Sequence, residues 1–415
     1  MARVVFTNCN LIDGRGPARP GSRVEVDGDR ITAVGSGAVP GIAADRVVDL
    51  GGRTLMPGMV LCHFHSTYDN LGAIPAPLGL DRPPAYLALR AARNLETALL
   101  CGFTGVVSAG AAHDIDAAMK LAIDDGLIPG PRLVPGSRDL STTGHVNDSV
   151  PWYWDLHAAA AIRCCDGPDG FRLAVREEIK RGAEIIKLFV TGGHGTMAPK
   201  EAPQMTRAEL QAAVEAAHDR GRRIRGHIAS KPAILMAVDA GLDVIDHADD
   251  MDRECIDRLV PAGTFVVPSL HFPWTLMQRK DATFGFGGDM RADFERMCRI
   301  LPEANAAGVK LVLGDDYGAA GFPHGIYAAE LELYVRDAGI ASLDVLRWAT
   351  RHGAELMGRG GDLGTIEVGK LADLLVIDGD PLADIAVLQK SEAMQLIMKG
   401  GVVVKNRLPG AAELV

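Results

Sequence analysis

Between residues 58 and 316 the apolar positions fall into short runs, and each run stops at glycine or polar residues. The runs are "GMVLCHFH", "GFTGVVSAG", "PRLVPGS", "AEIIKLFVTGG", "RIRGHIAS", "DVIDHADD", "GTFVVPSL" and "VKLVLGDD". Short apolar runs bounded by turn residues predict buried strands. Segments such as "PPAYLALRAARNLETALLCG", "TRAELQAAVEAAHDRG" and "KPAILMAVDAGL" lie between them and predict amphipathic helices. Strands alternating with helices define an α/β chain, and eight such units over roughly 300 residues predict a (β/α)8 barrel, the TIM-barrel architecture.

The ends have a different rhythm. "ARVVFTNCNLID", "SRVEVDGDRITAVG" and "RVVDLGGRTLMPG" alternate apolar and polar positions around Asp-Gly and Gly-Gly turns, and "GTIEVGKLADLLVID" and "AMQLIMKGGVVVKN" do the same near the other end. This predicts one small β-sandwich-like domain built from both termini, residues 1–57 and 361–415, flanking a barrel over 58–360.

Composition narrows the function. With 47% hydrophobic and 23% charged residues in 415, the chain can bury a sizeable core. The net charge of -10 and the lack of any Lys/Arg-rich run argue against a nucleic-acid surface, so small molecules are the expected partners. No apolar stretch reaches the length of a membrane span. The first residues lack the layout of a signal peptide. Seven scattered cysteines, with Cys164 and Cys165 adjacent, make no disulfide framework. A cytoplasmic setting is the expectation.

The chemistry stands where the strands run out. In such a barrel the active site is built at the C-terminal strand ends. There the chain places His63 and His65, then Lys187, His227, His247, and finally Asp315 and Asp316. Residues two apart in a strand face one way, so His63 and His65 project together. Neutral imidazoles and carboxylates suit zinc and related divalent ions. A lysine ammonium would be repelled by those ions, so Lys187 fits only when deprotonated or converted to an anion.

This set, with "TLMPGMVLCHFH" at the front and "GTIEVGKLADLLVID" at the back, resembles the amidohydrolase superfamily, in its prolidase-like and imidazolonepropionase-related branch. The resemblance implies that carbon dioxide carboxylates Lys187 and that the carbamate bridges two divalent metal ions. His63, His65 and Asp316 would then bind the more buried ion, and His227 and His247 the more exposed one. Zinc is the default; manganese, cobalt or nickel fit the same donors. Relatives usually carry Gly-Thr-Asp or Gly-Ser-Asp on the last strand, and ungapped counting along Gly314-Asp315-Asp316 gives Asp316 the catalytic place. The extra charge of Asp315 is expected to raise the pKa of Asp316. The implied reaction is hydrolysis of an amide or related C–N bond by a metal-bridged hydroxide, with Asp316 as base and then acid. Relatives of this kind also imply a homo-oligomer.

Substrate contacts are sought just past the strand ends. His145, in "GSRDLSTTGHVND", is the candidate catalytic or oxyanion contact. Tyr68, Arg138, Trp154, His271 and His324 are candidate substrate contacts, with Trp152, Tyr153 and Trp274 nearby. Two departures from the relatives stand out. Ile228 and Ala229 follow His227 where Ala-Tyr is common, and Cys62 stands before His63 where Asp is usual, so His63 needs another orienting partner. The expected substrate is a small amide, carbamate, urea or N-acyl amino acid. The alternative is an Xaa-Pro or Xaa-Arg dipeptidase or carboxypeptidase. A deaminase has no use for Lys187, and a non-catalytic relative would have lost ligands.

Overall fold

The computed structural model describes residues 3–37, 46–70, 79–145, 148, 153, 160–193, 199–278, 290–319 and 322–408. The first strands are β1 (Val4–Leu11), β2 (Arg19–Asp27), β3 (Arg30–Ser36), β4 (Arg46–Asp49) and β5 (Thr54–Pro57). The middle of the chain adds β6 (Met59–Leu61), β7 (Phe103–Val107), β8 (Arg132–Val134), β9 (Gly136–Ser141) and β10 (Ile162–Cys164). It continues with β11 (Ile185–Phe189), β12 (Arg223–Ile228), β13 (Val244–His247), β14 (Phe265–Val267) and β15 (Lys310–Leu311). The last are β16 (Leu374–Ile377), β17 (Met394–Lys399) and β18 (Val402–Asn406). Each of the eight apolar runs contains a strand; "PRLVPGS" spans the break at Pro135 between β8 and β9, and β10 was not foreseen.

The chain forms two compact units. One comprises Met1–Leu61, Glu96–Gly105 and Gly325–Val415, the other Cys62–Leu95 and Val106–His324. In the first, an eight-stranded sheet runs β18-β17-β16-β5-β1-β2-β3, with β4 beside β1. Strands from both ends of the chain meet where β16 lies antiparallel to β5. Val24 with Val26, Leu374 with Val376, and Leu396 with Met398 pack into one apolar cluster, the period of two that a one-sided sheet requires.

In the second unit seven strands run parallel in the order β10-β9-β11-β12-β13-β14-β15. Every residue of β13 and β14 is buried. That is why β14, Phe-Val-Val, and the Val244-Ile245 start of β13 show no polar alternation. Helices Arg207–His218, Lys231–Ala240 and Arg253–Ala262 return the chain between strands. Thr206 and Glu209 open the first with a reciprocal capping box, and Asp252 caps the third. Backbone hydrogen bonds extend the pairing past the sheet edges. Cys62 N donates to Leu313 O at 2.6 Å, Ala109 N to Phe64 O at 2.9 Å, and Ala111 N to Ser137 O at 3.1 Å. Among the described residues no helix is long and apolar enough to cross a membrane, and none of the seven cysteines forms a disulfide.

Candidate active site

His63 and His65 follow the end of β6, and Asp316 follows β15 in the strand segment bonded to it. Asp316 Oδ1 lies 3.0 Å from His63 Nε2 and 3.4 Å from His65 Nε2, and the two Nε2 atoms are 3.2 Å apart. The proton on each ring is fixed by its other nitrogen. His65 Nδ1 is 2.9 Å from Gly110 O, which can only accept, so Nδ1 carries the hydrogen. Ser269 Oγ gives its hydrogen to Gly314 O at 3.1 Å and therefore accepts from His63 Nδ1 at 3.4 Å. Burial pushes the His63 pKa down to about 4 against the pull of Asp316 and Asp246, so the ring is neutral near pH 7. His63 Nε2, His65 Nε2 and Asp316 Oδ1 thus converge within 3.0–3.4 Å of one another. Buried imidazole nitrogens and a carboxylate at these distances are a donor set that can hold a divalent cation.

Two glycines make the convergence possible. A Cβ on Gly314, whose φ is +152°, would sit 2.2 Å from His63 N. A Cβ on Gly110, with φ +128°, would sit 2.3 Å from Asp139 Oδ1. Only glycine allows these approaches.

His247, at the end of β13, brings Nε2 to 3.9 Å from Asp316 Oδ2, on the carboxylate's other oxygen. Ligand atoms of His63, His247 and Asp316 all lie within 4.8 Å of one another. The His227 ring, on β12, is 4.3 Å from that of His247 between centroids and stacks on Phe189 at 4.7 Å. Neighbouring residues of a strand face opposite ways. Yet Asp246 and His247 both reach this site. The reason is backbone: His247 has φ +75° and Ala248 +60°, a left-handed pair of non-glycine residues that turns the imidazole inward. Each such residue costs about 1–3 kcal/mol, which the surroundings must offset.

Lys187 lies in register with Asp139 on β9 and Arg225 on β12. Its Nζ donates to Asp246 Oδ2 at 2.6 Å. Arg225 is fully buried, holds both oxygens of Asp246, and donates from Nη1 to Cys62 O at 2.8 Å and Ser108 O at 2.9 Å. Burial works to raise the Asp246 carboxyl, but Arg225 and Lys187 hold it well below the usual range. Asp246 is also 3.8 Å from His63 Nδ1. Ser269 and Asp246 are therefore the orienting partners of His63.

The two aspartates divide differently from the expectation. Asp316 faces the histidines; Asp315 is buried behind it and accepts from Phe272 N at 2.8 Å and Asp316 N at 2.7 Å. Burial and the neighbouring charge of Asp316 push the Asp315 pKa up. Burial acts on Asp316 in the same sense, but His63, His65 and His247 hold it well below its ordinary value. The expected rise at Asp316 is thus corrected: it falls on Asp315.

Of the remaining candidates, Tyr68 stacks on the His65 ring at 4.2 Å. His324 reaches Tyr68 O at 3.1 Å. His145 packs edge-on against Phe189 at 4.9 Å, one ring away from His227, with Nε2 3.4 Å from Thr191 O. His271 is buried against Phe322 at 4.8 Å and Tyr317 at 6.1 Å, on the Asp315 side. Arg138 is not brought to the site's donors: its guanidinium grips Glu178 Oε1 at 2.9 and 2.5 Å in a buried pair. Trp154 lies outside the described residues. Sequence reasoning passed over Asp246, Arg225, Ser269 and Asp139. The signal for Asp246 was a second acid directly before His247 in an otherwise apolar run. Asp139 is buried, burial raises its pKa to about 6, and its Oδ1 has no hydrogen-bond partner among the described residues.

A parallel α/β sheet with imidazole, amine and carboxylate groups gathered at its strand ends defines a candidate metal site. Residues 54–404 match the amidohydrolase family, and the chain belongs to it. Members of that family generally use divalent metals. The chain is 29% identical over 379 residues to ochratoxinase of Aspergillus niger, covering 85% of this chain and 76% of that one. The crystal structure of A. niger ochratoxinase superimposes with a TM-score of 0.87 at 26% identity, covering 99% of this chain and 96% of that one. A prolidase complexed with N-methylphosphonate-L-proline gives a TM-score of 0.86 at 32% identity, over 97% of this chain and 100% of that one. A Xaa-Pro dipeptidase with bound methionine gives 0.87 at 27% identity, over 98% and 100%. The protein is a hydrolase acting on carbon–nitrogen bonds, amide bonds among them.

Proposed function

We propose that the protein is a binuclear metal-dependent amidohydrolase that cleaves small amides of the N-acyl amino acid type. The observation that carries this is the meeting of His63 Nε2, His65 Nε2 and Asp316 Oδ1 within 3.0–3.4 Å of one another, with His247 on the carboxylate's other oxygen. His63, His65 and Asp316 would hold one ion, His227 and His247 the second, and Lys187, carboxylated by carbon dioxide, would lie between. The run of pairings from β9 to β15, with the bonds Leu313–Cys62, Phe64–Ala109 and Ser137–Ala111, supports a closed (β/α)8 barrel over 58–360. The sheet built from both ends supports a small domain of residues 1–57 and 361–415.

Held by these residues, divalent ions, zinc by default, would supply a water of lowered pKa and a Lewis acid for the substrate carbonyl. The residues do the rest. Asp316, ionised at neutral pH, accepts the water's proton and returns it to the leaving nitrogen. His145, with burial pushing its pKa down to about 4, is a neutral ring whose Nε2 hydrogen faces Thr191 O at 3.4 Å and would have to leave that carbonyl to meet a substrate oxygen. Tyr68 and His324, beside the His65 ring, remain the candidate substrate contacts, while His271 lies on the Asp315 side and Arg138 is committed to Glu178.

The likeness to a prolidase complexed with N-methylphosphonate-L-proline supports substrates in which a group is joined to an amino acid. The prolidase likeness keeps a second reading, an Xaa-Pro dipeptidase. Ile228 and Ala229, both buried after His227, offer that substrate no hydroxyl. The test is amine release from a panel of N-acyl amino acids, carbamates, ureas and Xaa-Pro dipeptides, for the parent and Asp316→Asn. Turnover of N-acyl amino acids that falls at least 1,000-fold in the variant is expected, the scale for loss of an essential proton carrier. Turnover of Xaa-Pro alone selects the second reading, and activity unchanged in the variant contradicts both.

A further inference from the structure

The left-handed turn that aims His247 has its own restraint. Ala248 N donates to Ile228 O at 2.9 Å, and Asp250 N donates to Ala229 O at 2.9 Å, so the turn leans on the end of β12. The next side chain, Asp249, is buried and points its Oδ2 at Lys200 Nζ, 3.3 Å away. The same ammonium, only 4% exposed, lies 3.1 Å from Asp293 Oδ2, on helix Met290–Ala307, and 3.4 Å from Glu201 Oε1. Lys200 belongs to the segment that folds back on the end of β11, where Gly192 N donates to Ala202 O at 2.9 Å and Gln204 N to Val190 O at 2.9 Å. One buried cation thus ties three elements together at the residue two places beyond His247.

We propose that Lys200 is a positioning residue for the metal centre: by fixing Asp249 it holds His247 and Ala248 in the left-handed turn that points the His247 imidazole at Asp316. A strand end free to relax would restore the ordinary alternation and swing His247 away from Asp246's side. Burial alone would strip the proton from this amine, but Asp249 and Asp293 keep it charged. The cation is therefore permanent, and the restraint is structural and not a pH switch. This inference rests on the metal-centre reading above.

The test uses chelator-stripped full-length protein titrated with cobalt(II) in bicarbonate buffer, followed by the visible spectrum of the bound ion and by bound metal per chain. Lys200→Met keeps the volume and removes the charge. It should weaken one of the two cobalt-binding steps at least tenfold and alter the spectrum, leaving the other step intact. Adding Ala248→Gly, which occupies positive φ without strain, should restore the weakened step. A purely structural loss at Lys200 would not be rescued by a methyl deletion in the turn. Ala248→Gly alone should retain both cobalt steps and raise the thermal midpoint of the stripped protein. The inference is overturned if Lys200→Met binds cobalt as the parent does, or if Ala248→Gly fails to rescue it. It is equally overturned if Ala248→Gly alone lowers the midpoint, a readout that stands even if Lys200→Met does not fold. A parent that binds no cobalt fails the metal-centre reading itself, and is told apart by that result.

Discussion

At the scale of the residue, the site is governed by which groups stay neutral in the dark interior and which stay charged. Asp246 is charged because Arg225 and Lys187 share it. His63, His145, His271 and His324 are neutral because burial pushes each pKa from 6.5 down to about 4. In the unfolded chain these imidazoles titrate near 6.5. Between about pH 6.5 and 4 the unfolded state therefore binds protons that the folded state refuses, and stability must fall as the pH falls through that window. Urea midpoints of chelator-stripped protein at pH 7.5, 6, 5 and 4 should decline steadily, and His271→Phe, away from the converging donors, should flatten the slope by about one proton's share. A midpoint that is flat or rises with acid over this range would mean that these rings are protonated in the fold.

At the scale of the element, the strands were legible and their partnerships were not. Strands buried on both faces are built mainly from apolar residues without alternation, so the Val-Ile of "DVIDHADD" and the Phe-Val-Val of "GTFVVPSL" announced β13 and β14. The histidines and Asp316 were legible as polar residues interrupting those runs at their ends. Arg225 and Ser269 were not, because their roles arise from register between strands far apart in sequence, as when Arg225 spans to Cys62 O and Ser108 O. The inward turn of His247 is a matter of φ, which a residue that is not glycine conceals. Gly314 belongs at this scale too, since it lets the end of the β15 segment approach the chain at His63. Gly314→Ala adds a Cβ 2.2 Å from His63 N at φ +152° and should destabilise the protein by about 1–3 kcal/mol from backbone strain alone. It should also weaken metal binding, because His63 must shift. Thermal unfolding and a cobalt titration check both effects; a variant as stable as the parent would show that the approach is not tight.

At the scale of the whole molecule, a net charge of -10 and a family match over residues 54–404 agree on a small-molecule hydrolase. The two ends of the chain, distant in sequence, share one sheet, as their common alternation suggested. The compact units divide at Leu61 and Cys62 and again at His324 and Gly325, so segments of the middle, Glu96–Gly105 among them, group with the ends. Contacts of this kind come from packing and leave no periodic mark in a sequence. All the donors described, from His63 to Asp316, lie in one unit. The central claim is that this unit holds a bridged pair of divalent ions. The measurement is metal content per chain by elemental analysis, on protein expressed with added zinc and bicarbonate, for the parent and Lys187→Ala side by side. About two ions per parent chain and fewer in the variant are expected of a lysine-bridged pair. No metal in the parent, or the same content in both, would contradict it.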